Sequence, residues 1–276
     1  MSLAFLYPDM KKEILQTMKI LPIESICPFE WNSNRDDSIE IDDIHQIRHP
    51  FLVSPLKNGK YLLLEETAEF YTLLQAGIPL VPVQIVQPDQ ICMHQKTIGL
   101  YAFNENDLGE ILSTESQTIS CQHADANTDE SGFVKLYVGE RKYLLQSKTS
   151  NETGCSNVIT KLFEFFEQNG GYRMMKQHGS LSDSLMKIHR FDASVELPEI
   201  TFEQIQSAGL NKEQFPPSIL QTSSEVRVLY IDFPVSTLIS DNSIIEKEVF
   251  LKELILLREQ AEKTSIYEGR VYLLNR

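Results

Sequence analysis

The sequence predicts an α+β fold on a mixed sheet, and three observations carry that prediction. Two apolar runs, Phe51–Leu56 and Lys60–Leu64, flank Asn58-Gly59, the dipeptide favoured in a tight type I′ hairpin. Glu66–Ala76 then places Phe70, Leu73 and Leu74 at helical spacing, with Gly77 as the stop. The run Val81–Val86 follows at once, and strand, helix and strand with so short a crossover predict a right-handed βαβ unit, Lys60–Leu64 and Val81–Val86 lying parallel in one sheet.

The remaining elements read in order. Met10–Met18 has helical character, Ile20–Ile23 is a short strand, and the polar, acidic Asn32–Asp43 is a loop with a little helix. Ile91–His94 adds a strand, whereas Asp107–Ser131, rich in Ser, Thr, Asp, Asn and Gln, has the composition of a connection. Phe133–Val138 and Lys142–Gln146 alternate around Gly139-Glu140 as a second hairpin. After the polar break Lys148–Asn157, Val158–Gln168 reads as a buried helix through Leu162, Phe163, Phe165 and Phe166, closed by Gly170-Gly171. Thr201 caps a helix running through Ala208, and Gln204 completes a capping box. Pro216-Pro217 forces an extended turn, Val226–Phe233 is a strand, and Val271–Leu274 is a terminal strand. Ile244–Lys263 is the longest helix, and apolar residues on more than one side predict that it is largely enclosed. There is no internal repeat. Two parts are expected, an α/β domain over residues 1–105 and an α+β domain over 106–276 packing on the same cleft.

Composition excludes several functions. The 276 residues, 42% of them hydrophobic, suffice for a sizeable core. Lys plus Arg number 25 against 39 Asp plus Glu, a net charge of −14, which disfavours broad contact with nucleic acid or an anionic membrane. No apolar stretch approaches the roughly 20 residues that span a bilayer, and the N-terminus lacks the pattern of a signal peptide. Cys27, Cys92, Cys121 and Cys155 are scattered without a C-x-x-C pair, as suits free thiols in a reducing cytoplasm. A cytoplasmic protein is expected.

Common chemical motifs are missing: no phosphate-binding G-x-x-x-x-G-K-[ST] loop, no G-x-G-x-x-G, no H-E-x-x-H and no protein-kinase signature. Cys92-Met93-His94 and Cys121-Gln122-His123 have a one-residue gap unlike structural zinc spacing, so no metal site is expected there. Glu30, after Pro28-Phe29, is a candidate general base, although a Glu in that setting is commonly a solvated surface group.

The informative stretch is GKYLLLEETAEFYTLLQAGIPLVPVQIV, Gly59–Val86. With the upstream RHPFLVSP, Arg48–Pro55, it resembles the ParB/sulfiredoxin superfamily, whose core reads Gly-x-Tyr, apolar strand, Asp-Gly-x-His-Arg, helix, Gly, Val-Pro-Val. ILPIESICPFE, Ile20–Glu30, resembles the opening strand and catalytic-Glu loop of the free serine kinases of that superfamily, the branch associated with siderophore biosynthesis. ITFEQIQSAGLNKEQFPPSIL, Ile200–Leu220, followed by VLYIDFPVSTL, Val228–Leu238, resembles their C-terminal segment. The resemblance implies that a nucleotide phosphate sits at the start of the helix after the hairpin. It also implies that free L-serine becomes O-phosphoserine, with Glu30 as base.

The departures fall on the chemistry. The family's Asp-Gly-x-His-Arg matches Glu65-Glu66-Thr67-Ala68-Glu69, so the Gly is a Glu, the His an Ala and the Arg a Glu of opposite charge. Pro-Pro-Gly-Val-Thr-Arg-His becomes Pro216-Pro217-Ser218-Ile219-Leu220-Gln221-Thr222, again without its Arg and His. The resemblance therefore implies a serine kinase-like protein without catalysis, a pseudoenzyme that binds a small ligand or a protein partner. Its site residues would be Glu30, His49, Glu65, Glu66, Thr67, Glu69, Ser218, Gln221 and Thr222, around a cleft bounded by the helix start, the Glu30 loop and the Pro216–Thr222 turn. The alternative is an active phosphotransferase in which Mg²⁺ on Glu65 and Glu66 restores affinity for nucleotide; only there are nucleotide and Mg²⁺ expected as cofactors. ParB-like DNA binding is disfavoured by the charge.

Overall fold

A computed structural model of the chain describes residues 14–31, 44–124, 132–148, 154–169, 171–176, 191–212, 214–217, 219–224, 226–260, 264–267 and 271–274. In chain order the elements are β1 (Met18–Pro22), β2 (Ile26–Pro28), β3 (Gln46–Ile47), β4 (Phe51–Pro55), β5 (Tyr61–Leu63), α1 (Thr67–Gln75) and β6 (Leu80–Ile85). Then follow β7 (Ile91–Tyr101), α2 (Glu105–Thr114), β8 (Ile119–His123), β9 (Val134–Val138), β10 (Arg141–Ser147), α3 (Gly154–Asn169), β11 (Gly171–Lys176), β12 (Ala193–Glu196) and α4 (Phe202–Asn211). The last are β13 (Leu220–Ser224), β14 (Arg227–Leu229), β15 (Phe233–Pro234), α5 (Val235–Ile239), α6 (Ile244–Gln260), β16 (Thr264–Tyr267) and β17 (Val271–Leu274). The fold is α+β, with mixed and antiparallel sheets. The expected loop Asn32–Asp43 lies outside the described residues.

Contacts divide the chain into two compact units that do not follow chain order. The first comprises Met1–Pro28, Asn32–Cys92 and Thr222–Arg276; the second comprises Phe29–Trp31 and Met93–Gln221. In the first unit a five-stranded sheet has the order β1-β6-β4-β5-β2. Its core includes Met18, Ile20, Phe51, Val53, Leu63, Phe70, Leu73, Val81 and Val83, joined by Val228, Phe233, Leu238 and Leu251 from the C-terminal segment. Smaller sheets β14-β17-β16 and β15-β3 complete this unit.

The first hairpin forms, but its turn is not type I′. Leu56 N–H donates to Lys60 O (2.8 Å) and Gly59 N–H to Leu56 O (3.2 Å), so three residues, Lys57–Gly59, make the loop. Gly59 at φ 79 is left-handed and Asn58 is not, the pattern of a type I turn closed by a left-handed glycine. The expected parallel pairing also needs correcting. β4 runs parallel to β6 (Phe51↔Val83) and antiparallel to β5 (Val53↔Leu63), so β5 and β6 share the sheet but run in opposite directions. The hairpin strand itself returns the chain to the edge where β4 begins, and α1 then only crosses the sheet to start β6 there.

Three further expectations are corrected. Asp107–Ser131 is not merely a connection. It contributes most of α2, capped by Asn104 and Asp107 and anchored by buried Leu108 and Ile111, and then β8. Polar composition hid a helix that buries only two large residues. Val226–Phe233 is not one strand, because Tyr230 (φ 58) and Asp232 (φ 43) turn left-handed and separate β14 from β15. α6 is not enclosed: Ile245 is 75% and Leu257 62% exposed, while Lys247, Leu251 and Ile255 form the buried side. Two predicted helix ends hold, and the expected stop at Gly170 lies outside the described residues. Gly77 (φ 71) closes α1, with Ile78 N–H reaching Leu73 O, and Thr201 caps α4, which extends to Asn211.

In the second unit the sheet runs β11-β7-β12-β9-β10-β8. The predicted second hairpin pairs Arg141 with Val138 across Gly139-Glu140, with Gly139 at φ 57. α3 buries Val158, Ile159, Leu162, Phe163 and Phe166. Among the described residues no helix is long and apolar enough to cross a membrane.

Candidate functional site

At the end of β5 the chain turns through Leu64, Glu65 and Glu66 into α1, which points free backbone N–H groups and a positive dipole end at whatever lies before it. Glu66 holds the N-cap position at φ 63, ψ 36, and its side chain makes no cap hydrogen bond. This is the place where the resembled motif carries glycine. The left-handed backbone that glycine serves is present, with a carboxylate attached to it. Glu69, one turn on, is half-buried; desolvation, reinforced by the charge of Glu66, pushes its carboxyl up to about 7, against a smaller opposing pull from Arg48. Thr67 begins the helix between them.

Glu65 is already engaged. Arg227 Nε donates to its Oε2 at 3.0 Å, from a guanidinium whose residue is 6% exposed. Arg227 Nη1 donates to Val228 O (3.2 Å), and the buried Gln84 of β6 accepts the Val228 N–H (2.9 Å) and donates to Val226 O (3.0 Å). Arg227 Nη2 is buried without a hydrogen-bond partner among the described residues. Thr222 Oγ1 donates to Leu64 O at 2.9 Å, fixing the turn from the C-terminal side. Gln84 and Arg227 escaped the sequence reading because an amide and a cation in apolar strands carry no motif; only their burial marks them.

His49, before β4, accepts the Tyr230 N–H on Nδ1 at 3.1 Å, and the two rings meet edge-on with centroids 4.8 Å apart. Burial lowers the imidazole pKa, Glu66 opposes that, and Arg227 and Arg48 reinforce it, so the ring is held neutral as the bond requires. Arg48 lies over the Tyr230 ring at 4.8 Å. The first unit therefore holds His49, Glu65, Glu66, Thr67, Glu69 and Thr222, with Arg48, Arg227, Tyr230 and Gln84 among them.

Glu30 belongs to the second unit. Phe215 N–H donates to Phe29 O (2.7 Å) and Trp31 N–H to Phe215 O (3.0 Å), a parallel bridge that sets Glu30 beside the Pro216-Pro217 turn. Glu30 is 8% exposed, which overturns its reading as a solvated surface group. Gln221 is half-buried in β13, and Ser218 lies outside the described residues. Among the described residues Cys27, Cys92 and Cys121 form no disulfide, and no cluster of His, Cys, Asp and Glu is arranged to hold a metal.

With that geometry in place, comparison with known proteins gives a relative along the whole chain. The ATP-dependent L-serine kinase SbnI of Staphylococcus aureus is 22% identical over 275 residues, 95% of this chain and 98% of SbnI. A structure of SbnI with a C-terminal truncation superposes with a TM-score of 0.73 at 17% identity, covering 90% of this chain and 99% of that one. The fold is that of the free serine kinases. A free serine kinase in complex with AMP superposes with a TM-score of 0.63 at 14% identity, covering 80% of this chain and 93% of that one. A variant of a free serine kinase in complex with ADP gives 0.64, at 14% identity and coverage of 80% and 94%. No protein-family model matches the chain. The free serine kinase fold is thus kept over nearly its full length.

Proposed function

We propose that this chain is a non-catalytic relative of the free serine kinases that binds a small zwitterionic or cationic molecule, or a protein segment of that chemistry, at the start of α1. The observation that carries the reading is Glu66, left-handed at the N-cap of α1 with the half-buried Glu69 one turn behind it. A nucleotide phosphate placed there would meet two carboxyl groups in place of a glycine backbone and an arginine. With Glu69 ionised, reversing one charge at 4 Å changes the interaction by two Coulomb terms of about 4 kcal/mol each at an effective dielectric of 20; with Glu69 protonated, only the arginine's attraction is lost. Phosphoryl transfer depends on positive charge around the transferred group, so activity should fall by orders of magnitude. An ammonium group is favoured by the same carboxylates, and Arg48 and His49 offer the opposite polarity for a carboxylate on the same ligand. Mg²⁺ on Glu65 and Glu66 is the weaker alternative, because Glu65 already pairs with Arg227.

The test incubates the protein with ATP or ADP, Mg²⁺ and L-serine, following O-phosphoserine by mass spectrometry, beside a thermal-shift screen of nucleotides and amino acids. We expect no product, no shift with nucleotide and a rise in Tm with a zwitterion. Glu66→Gly with Glu69→Arg should then gain nucleotide binding. Robust turnover abolished by Glu30→Ala would establish the active kinase instead.

A further inference from the structure

Two residues with side chains, Tyr230 and Asp232, adopt left-handed backbone within three positions, at φ 58 and 43. Such backbone is strained for a residue with a side chain and persists only where its surroundings over-determine it. The surroundings here are specific. Arg258 of α6 donates through Nη1 to Tyr230 O and lies 3.7 Å from Asp232 Oδ2. Asp232 N–H donates to Arg48 O (3.3 Å), and Gln46 Nε2 donates to Asp232 Oδ1 (3.4 Å). The result of this restraint is a Tyr230 N–H aimed at His49 Nδ1 (3.1 Å).

That bond has a chemical consequence. A backbone N–H can only donate, so Nδ1 must be the bare nitrogen and the neutral ring carries its proton on Nε2. No described residue makes a hydrogen bond to Nε2, and the acidic group acting most strongly on the ring is Glu66 at the start of α1. We propose that Arg258 is a positioning residue: by clamping the strained Tyr230–Asp232 segment it locks His49 as a fixed Nε2–H donor for an oxygen of whatever binds at the α1 start. The role as a donor to ligand rests on the site reading above; the locked tautomer does not. Arg258 acts from a helix that shares no sequence neighbourhood with His49, through its contacts with Tyr230 and Asp232.

The experiment records long-range ¹H–¹⁵N correlations of the histidine rings in the ¹⁵N-labelled full chain at pH 7, with His49→Asn used to assign His49. The expected result is a single tautomer protonated on Nε2. In Arg258→Met the two tautomers should mix, and Arg258→Lys, which keeps the charge facing Asp232, should recover part of the selection. If Arg258→Met does not fold, Asp232→Asn is read the same way, because asparagine tolerates left-handed backbone while losing the charge that Arg258 pairs with. Protonation on Nδ1, averaged tautomers in the wild type, or an unchanged pattern in the folded variant would overturn the proposal. Glycine titration separates the two claims. A moving Nε2–H signal supports the donor role, whereas a locked but unresponsive His49 overturns the zwitterion reading and leaves the clamp standing.

Discussion

Glu66 pays twice for its position: left-handed backbone costs a residue with a side chain about 1–2 kcal/mol, and its charge presses on Glu69. Burial of Glu69, the larger cause, and the charge of Glu66 beside it together have a pH signature. The Glu69 carboxyl titrates near 7 in the folded chain against an ordinary value of 4.5, so between these pH values the folded state holds the proton more tightly than the unfolded state. Stability therefore falls as pH rises through that window and stays lowered above it. Glu69→Gln, which mimics the protonated form, should raise Tm at pH 8 and leave it nearly unchanged at pH 4.5. Thermal melts across pH check this, and a gain equal at both pH values would refute it. Lys247 is buried too, and its Nζ donates to Leu238 O and Ser240 O (both 2.8 Å) at the end of α5.

At the scale of elements, local sequence signals governed the ends and tertiary packing governed the interiors. Thr201 accepts from Gln204 N–H (3.3 Å) and Gln204 Oε1 accepts from Thr201 N–H (2.8 Å), the capping box that its spacing announces. Thr201→Ala should lower stability by about 1 kcal/mol without altering the chemistry of the α1 start, as a denaturant melt with a ligand-shift control will show. α2 carries an equally complete box at Asn104 and Asp107, yet its sparse apolar content concealed it. α6 misled in the other direction. Apolar residues all round imply enclosure, but burial is decided by what lies opposite, and Ile245, Val249 and Leu257 remain exposed. β14 and β15 were one apolar run in sequence, because propensity does not register that Arg258 and His49 hold Tyr230 and Asp232 in a turn.

Across the whole molecule, a net charge of −14 sets the expected partners. Duplex DNA affinity arises largely from neutralising phosphates with Lys and Arg, so a gel shift at physiological salt should show no retained band; one lost steeply with added salt would overturn this expectation. The sequence by itself determined the α+β class, both hairpins, the cap of α4 and the stop of α1, since these depend on residues within a few positions of one another. The motif Glu65–Glu69 was equally legible, because its charge reversal needs no coordinates to be seen. Only the tertiary structure decided that β6 runs beside β4, that Glu65 is bound to Arg227 from 162 residues away, and that Glu30 is buried beside Phe215. Those outcomes are set by long-range pairing and burial, whose energies depend on which distant groups the closed chain brings together, and no local pattern of residues encodes that.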